Sequence, residues 1–172
     1  VGSEMCIRDR FWPDDTIFTE TVYDYKILAS RLRELAYLNA GLRITLTDRR
    51  VVNEDGSFKS EQFYSEEGLR EFVRFIESSR EHLINDVIYL NSEKQGIPIE
   101  VAIMYNTGFS ENVHSYVNNI NTIEGGTHLA GFRRALTRTL KKYAEDSKML
   151  EKVKVEISGD DFREGLTAVI SV

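Results

Sequence analysis

The chain is 172 residues long, 41% hydrophobic, and carries a formal net charge of −6. This length and composition suit one or two domains with a hydrophobic core. No apolar run approaches about 18 residues, which excludes a membrane-spanning helix. The acidic balance argues against a protein that is basic over its whole surface, as nucleic-acid binders usually are. The single cysteine, Cys6, rules out an internal disulfide and fits a reducing compartment.

The two ends of the sequence differ from the rest. Residues 1–10 (VGSEMCIRDR) lack an apolar period and a signal-peptide core, and they resemble translated adapter sequence. We interpret them as non-native, with a frayed natural N-terminus as the alternative. The chain stops at Val172 inside a strand pattern, so we expect a piece of a longer protein.

The first periodic segment predicts a helix over about residues 24–39, capped by Asp24 and ended by the left-handed Gly41. Alternation over 42–48 predicts a half-buried strand, and Asp55-Gly56 is a hairpin signal. We place a domain boundary near residue 58. The expected buried stripe of the helix consists of Tyr25, Leu28, Leu32 and Leu35.

A second pattern starts after residue 58. Ser65 is expected to cap a helix that buries Leu69, Phe72, Val73 and Ile76. Short apolar or alternating runs at 87–90, 99–105 and 113–117 predict an antiparallel meander, and 153–157 predicts another strand. Residues 166–172 are apolar on both faces, as in a central strand. The fold class is therefore α/β (α+β), with a mixed sheet and packed helices.

A long helix is predicted from about residue 125 to residue 145, and its segment 125–143 (GGTHLAGFRRALTRTLKKY) has two distinct faces. Its apolar stripe comprises Leu129, Phe132, Leu136, Leu140 and Tyr143. Arg134, Arg138 and Lys141 fall on the opposite face, with Lys142 beside them and Arg133 on the flank. No acidic residue occurs between Thr127 and Ala144.

This basic helical surface is either a solvated face or a contact for a polyanion. Solvent faces usually mix signs to gain pairs three and four residues apart, whereas this one does not. A polyanion would relieve the repulsion and release counterions, and the lack of interleaved aromatic residues favours backbone contact over base stacking. The candidate residues for contact with a phosphate backbone are Arg133, Arg134, Arg138, Lys141 and Lys142, and a solvated face stays open as the alternative.

Other chemistry candidates have simpler structural interpretations. Gly125-Gly126-Thr127 could cradle a phosphate, but a tight turn with Thr127 as the cap is favoured. His82, His114 and His128 lack partners at ligand spacing, so no metal site is predicted. Asp160, Asp161 and Glu164 do not match a calcium loop and are expected in a solvated turn.

Four stretches resemble the DNA gyrase B family, the ATPase subunits of bacterial type IIA topoisomerases. They are FWPD (11–14), LASRLRELAYLNAGLRITLTDRR (28–50), NNINTIEGGTHLAGFRRALTRTL (118–140) and GDDFREGLTAVISV (159–172). The resemblance covers residues 11–172 in the family's order. It implies that 11–58 end a GHKL-type ATPase domain and that 59–172 form most of a transducer domain of the ribosomal-protein-like type.

The resemblance also implies function. In the family, two copies close as an ATP-operated clamp on DNA, ATP and Mg²⁺ bind in the ATPase domain, and a gyrase A-type partner cuts DNA. Basic residues after the THLAGF motif line the clamp; Arg133 is the position carried over, and the other four are an extension from helix geometry. The general base, the magnesium ligand, the lid and the γ-phosphate lysine of the family have no counterpart here. No catalytic, cofactor-binding or metal residue is therefore predicted, and the isolated segment is not expected to be active.

Two alternatives stay open at this point. The nearest is the ATPase subunit of topoisomerase IV, a close relative. The other is a stand-alone, non-catalytic nucleic-acid-binding α/β module, against which the strand pattern at the C-terminus argues.

Overall fold

A computed structural model describes residues 12–149 and 157–172, together with Ile7. The predicted strand at 153–157 lies outside these residues apart from Ile157, as does most of the 1–10 segment. None of the described helices is long and apolar enough to cross a membrane.

The N-terminal unit is a helix packed on a hairpin. Helix α1 (Tyr25–Leu38) begins as predicted, because the Asp24 carboxylate accepts hydrogen bonds from the backbone N–H groups of Lys26 (2.7 Å) and Ile27 (3.3 Å). Strands β1 (Ile44–Val52) and β2 (Phe58–Phe63) pair antiparallel around a turn that contains Gly56 at φ +81°. The predicted boundary near residue 58 thus falls at the first residue of β2.

The buried face of α1 differs in part from the predicted stripe. Ala29, Ala36 and Leu38 are the buried residues of the helix, whereas all four residues of the predicted stripe, Tyr25, Leu28, Leu32 and Leu35, are only half-buried. The small alanines let α1 approach the hairpin closely, and Phe63 completes that cluster.

Helix α2 (Leu69–Glu77) starts three residues later than the Ser65 cap predicts. Gly68 occupies the cap position at φ +60°, and the Ser65 hydroxyl instead accepts the Gly68 N–H within the preceding turn (2.9 Å). The expected core residues Leu69, Phe72 and Val73 are buried.

The remaining strands form one five-stranded mixed sheet in the order β3-β4-β7-β5-β6. They are β3 (Ile88–Lys94), β4 (Ile97–Tyr105), β5 (Asn112–Val117), β6 (Ile120–Asn121) and β7 (Leu166–Ser171). The predicted central position of the last strand is confirmed, since β7 pairs with β4 on one side and β5 on the other.

The predicted antiparallel meander is wrong for its third strand. β3 and β4 pair antiparallel, but β5 pairs with β7 and runs parallel to it, with Val113 opposite Ala168. A parallel pair needs a long crossover, and helix α3 (Thr127–Asp146) lies in that connection. Because β7 is apolar on both faces, it is stable only between two other strands, which separates β4 from β5.

The sheet carries a helix on each face. Leu69, Phe72 and Val73 of α2 pack on one side against Ala102 and Met104. The other side, which includes Val101 and Ile103, meets α3. Alternate residues of β4 therefore belong to different cores, as expected for a strand buried on both faces. The result is an α/β fold that holds α3 against the sheet through one face.

Candidate nucleic-acid interface on helix α3

Helix α3 is attached to the sheet by its N-terminal half. Leu129, Phe132 and Leu136 pack against the core strands β4 and β7, as the apolar stripe predicts. Tyr143, expected on the same stripe, is instead 61% exposed, and no described residue of α3 is fully buried. The C-terminal half of α3 is therefore held less closely than the first three turns.

The N-terminus of α3 has no side-chain cap, and the His128 ring lies against its cap residue. Gly126 occupies the cap position and Thr127 is the first helical residue, so the predicted capping by Thr127 is wrong. The His128 ring lies so close to Gly126 that a Cβ there would come within 2.7 Å of it. His128 Nε2 is 3.0 Å from Thr122 Oγ1, whose hydroxyl donates to the Ser115 carbonyl (2.9 Å). These contacts support a structural role for the glycine pair.

Four of the five predicted DNA-binding residues form an open basic face. Arg134, Arg138, Lys141 and Lys142 are all exposed and lie on neighbouring turns of α3. Within residues 12–149 and 157–172, none of the four makes a hydrogen bond or ion pair with another side chain. Four such cations so close together produce a local positive potential on an acidic chain. This surface, defined by these four residues, is called the basic face below.

Arg133 lies in different surroundings. Its Nε is 2.7 Å from Oε1 of Glu111, which directly precedes β5. The other oxygen of Glu111 is 3.6 Å from Nε of Arg163, and Arg163 in turn pairs with Asp160. The structure therefore places Arg133 beside the basic face but within a group of two arginines and two carboxylates, called the Glu111 cluster below.

The histidines and acidic residues considered for metal binding are not brought together. No group of three or more His, Cys, Asp or Glu side chains in the described part of the chain could hold a metal ion. His114 lies half-buried on β5, and burial lowers its pKa, which favours the neutral ring. Asp161 accepts the Ser158 N–H (2.6 Å), which lowers its pKa and fits the predicted turn.

Sequence reasoning missed a buried carboxylate. Glu77, the last residue of α2, is 0% exposed. Its Oε1 accepts from the Thr167 hydroxyl (2.6 Å) and pairs with Arg80 (3.0 Å), and its Oε2 accepts from Asn106 Nδ2 (2.9 Å). The sequence does indicate this buried position, because Glu77 lies four residues after Val73 and therefore on the apolar side of α2.

The same buried site holds two loops in place. Asn106 Oδ1 accepts the Gly108 N–H (2.8 Å), and the Asn106 N–H donates to the Gly165 carbonyl (2.9 Å). Glu77, Asn106, Gly165 and Thr167 thus tie α2, the end of β4 and the start of β7 together. This group is called the Glu77 site.

A model of the family described as DNA gyrase B matches residues 68–172, which is more than half of the chain. The chain belongs to the DNA gyrase B family. Among relatives, the DNA gyrase B protein of Cytophaga hutchinsonii is 65% identical over 163 residues, and that of Cytophaga aurantiaca is 64% identical over 163 residues. Each alignment covers 95% of this chain and 34% of the relative, so the chain spans about a third of their length.

A solved gyrase B structure shares the fold. The 43K ATPase domain of Thermus thermophilus gyrase B, solved in complex with an aminocoumarin, superimposes with a TM-score of 0.78 at 31% identity. The match covers 92% of this chain and 42% of that one. The helices and sheets of this chain thus resemble a section of the gyrase B ATPase region.

Proposed function

We propose that this chain is the part of a gyrase B protein that relays the nucleotide state and lines the DNA clamp of an ATP-hydrolysing type IIA topoisomerase. The observation that carries the proposal is the basic face, a set of exposed cations with no acidic partner among the described residues, on a chain of net charge −6. Such a surface fits the phosphate backbone of a duplex, whose recognition is electrostatic and tolerant of sequence. The proposed cellular location is the cytoplasm.

We propose that the two sheets belong to two different domains. Residues from 11 to the hairpin would end the GHKL-type ATPase domain, and the five-stranded sheet would be the transducer domain of the ribosomal-protein-like type. Because β2 pairs with β1, a boundary after Phe63 keeps the hairpin intact, in preference to residue 58. Tyr37 of α1 stacks on Phe72 of α2, with ring centroids 5.0 Å apart. This contact gives the relay a physical path from one unit to the other.

ATP and Mg²⁺ belong to the proposed parent enzyme and not to the residues described here. Phosphoryl transfer needs a metal, a positioned water and a charge clamp on the γ-phosphate. We propose no catalytic step for the residues of this chain. The proposed partners are DNA, a gyrase A-type subunit and a second copy of the same gyrase B protein.

The part of the proposal that concerns Arg133, which lies beside the basic face, is tested by Arg133→Gln in a full-length gyrase B protein that carries this sequence. We expect weaker supercoiling and weaker stimulation of ATP hydrolysis by DNA, because one ionic contact to the duplex is lost. The effect should shrink at high salt. Lys94→Gln at the exposed end of β3 removes one positive charge elsewhere and is the matched control. If both variants supercoil like the parent, Arg133 does not line the clamp.

A further inference from the structure

Arg133 does not present a free charge, unlike the four residues of the basic face. Its side chain is 42% exposed and that of Glu111 is 24% exposed, with 2.7 Å between Nε and Oε1. A charge-assisted hydrogen bond of this length at a half-shielded site cancels much of the field of Arg133. Arg133 therefore adds less to the positive potential than its sequence position suggests.

The Glu111 carboxylate also contacts a second arginine. Arg163, whose side chain is only 18% exposed, lies with its Nε 3.6 Å from Glu111 Oε2. Arg163 is itself anchored, because its NH1 donates to the Gly159 carbonyl (2.8 Å). The carboxylate is thus held between α3 and the loop before β7, and it cannot turn away from Arg133 without leaving Arg163.

The geometry still leaves one side of Arg133 available. Glu111 engages Nε, and no other group in residues 12–149 and 157–172 bonds to the two terminal nitrogens of Arg133. A guanidinium carries five N–H donors in a fork, so a phosphate can approach its terminal edge while Glu111 stays bound. The phosphate and the Glu111 carboxylate would then contact two different edges of the same guanidinium group, and their negative charges would repel each other.

We propose that Glu111 stays bound to Nε of Arg133 and, through its negative charge, weakens the contact that the terminal nitrogens of Arg133 make with a DNA phosphate. The inference rests on the proposed function, since it presumes that the duplex lies along α3. Among the described residues, Arg133 has a carboxylate partner, whereas none of the four residues of the basic face forms an ion pair. A clamp that must release its duplex gains from a contact that does not hold tightly.

The test is a double-mutant cycle on duplex binding by the 172-residue chain, read by fluorescence anisotropy at about 50 and 200 mM salt. Glu111→Gln keeps an oxygen that accepts from Arg133 and removes the charge. We expect it to tighten binding by about 1.5- to 5-fold, the range that partly exposed ion pairs support. In the Arg133→Gln background the same change should tighten binding less, and higher salt should reduce the difference.

Asp160→Asn is the matched control, because it removes the same charge from the Glu111 cluster but contacts Arg163 and not Arg133. Thermal unfolding followed by circular dichroism checks that each variant is folded. The inference is overturned if Glu111→Gln fails to tighten binding, tightens it no more than Asp160→Asn, or tightens it equally without Arg133. Failure of the proposed function looks different: Arg138→Glu on the basic face would then leave duplex binding unchanged.

Discussion

Arg133 and Arg134 are neighbours in the sequence but lie in different electrostatic surroundings. Arg134 is exposed on the basic face, and Arg133 is turned toward Glu111. The helical period correctly placed Arg133 on the flank of α3. It could not identify its partner, because Glu111 is 22 residues earlier and only the fold brings the two side chains together.

The Glu77 site is the clearest residue-scale feature that the sequence interpretation overlooked. A carboxylate that is fully removed from water is stable only when its oxygens are paired or hydrogen-bonded. Thr167, Asn106 and Arg80 meet that need from three different segments. A charged residue in an apolar helical stripe signals such a site, but its partners are not visible in the sequence.

Thr167→Val tests this account. Valine preserves the shape of the side chain but removes the donor to Glu77 Oε1, so we expect a loss of about 1.5–3 kcal/mol in the free energy of unfolding, as for other hydrogen bonds to charged groups. Urea denaturation measures it. Thr47→Val is the control, because Thr47 also bonds to a side chain, Ser60, but at an exposed position; its cost should stay below about 0.5 kcal/mol. Equal costs for the two variants would contradict the burial argument.

At the scale of elements, helices were predicted better than strand order. The limits of α1 and α3 followed from apolar period and turn residues, which are local signals. Ser65 and Thr127 were predicted as caps on residue type alone, whereas glycines at 68 and 126 take the cap positions. The parallel pairing of β5 with β7 was missed because it joins segments about 50 residues apart in the sequence, beyond the reach of any local pattern.

The loop before β7 depends on one glycine. Gly165 has φ +67°, and a Cβ there would lie 2.3 Å from the Asn106 carbonyl oxygen and 2.8 Å from that of Gly108. A side chain would therefore push apart the two loops that the Glu77 site holds together. Backbone atoms cannot move aside as a flexible side chain can.

We expect Gly165→Ala to lower the free energy of unfolding by more than about 2 kcal/mol, because a clash adds to the backbone strain. Gly56→Ala separates the two effects, since Gly56 has φ +81° with nothing within 4 Å of the added Cβ. That control should cost only the strain of the left-handed conformation, about 1–2 kcal/mol. Equilibrium urea unfolding of both variants decides the matter; a Gly165→Ala cost no larger than that of Gly56→Ala would show that the loops adapt.

At the scale of the whole molecule, charge and fold act together. The chain is acidic overall, yet the fold packs the apolar side of α3 on the sheet and leaves the basic face open. The fold class, the central last strand and the basic face could be predicted, since each depends on composition or a local period. The sheet order, the Glu77 site and the Glu111 cluster could not, since each depends on contacts between distant segments.

The central claim is that duplex DNA binds at the basic face, and charge reversal tests it most directly. Arg138→Glu combined with Lys142→Glu changes the net charge by −4 on α3. Lys26→Glu combined with Lys94→Glu makes the same change at exposed positions on α1 and β3. Duplex affinity of the 172-residue chain at about 50 mM salt is the readout. We predict that the α3 variant loses at least about ten-fold in affinity and much of the salt dependence, as two phosphate contacts would require, while the control changes little. Equal losses in the two variants, or no loss in the α3 variant, would contradict the account.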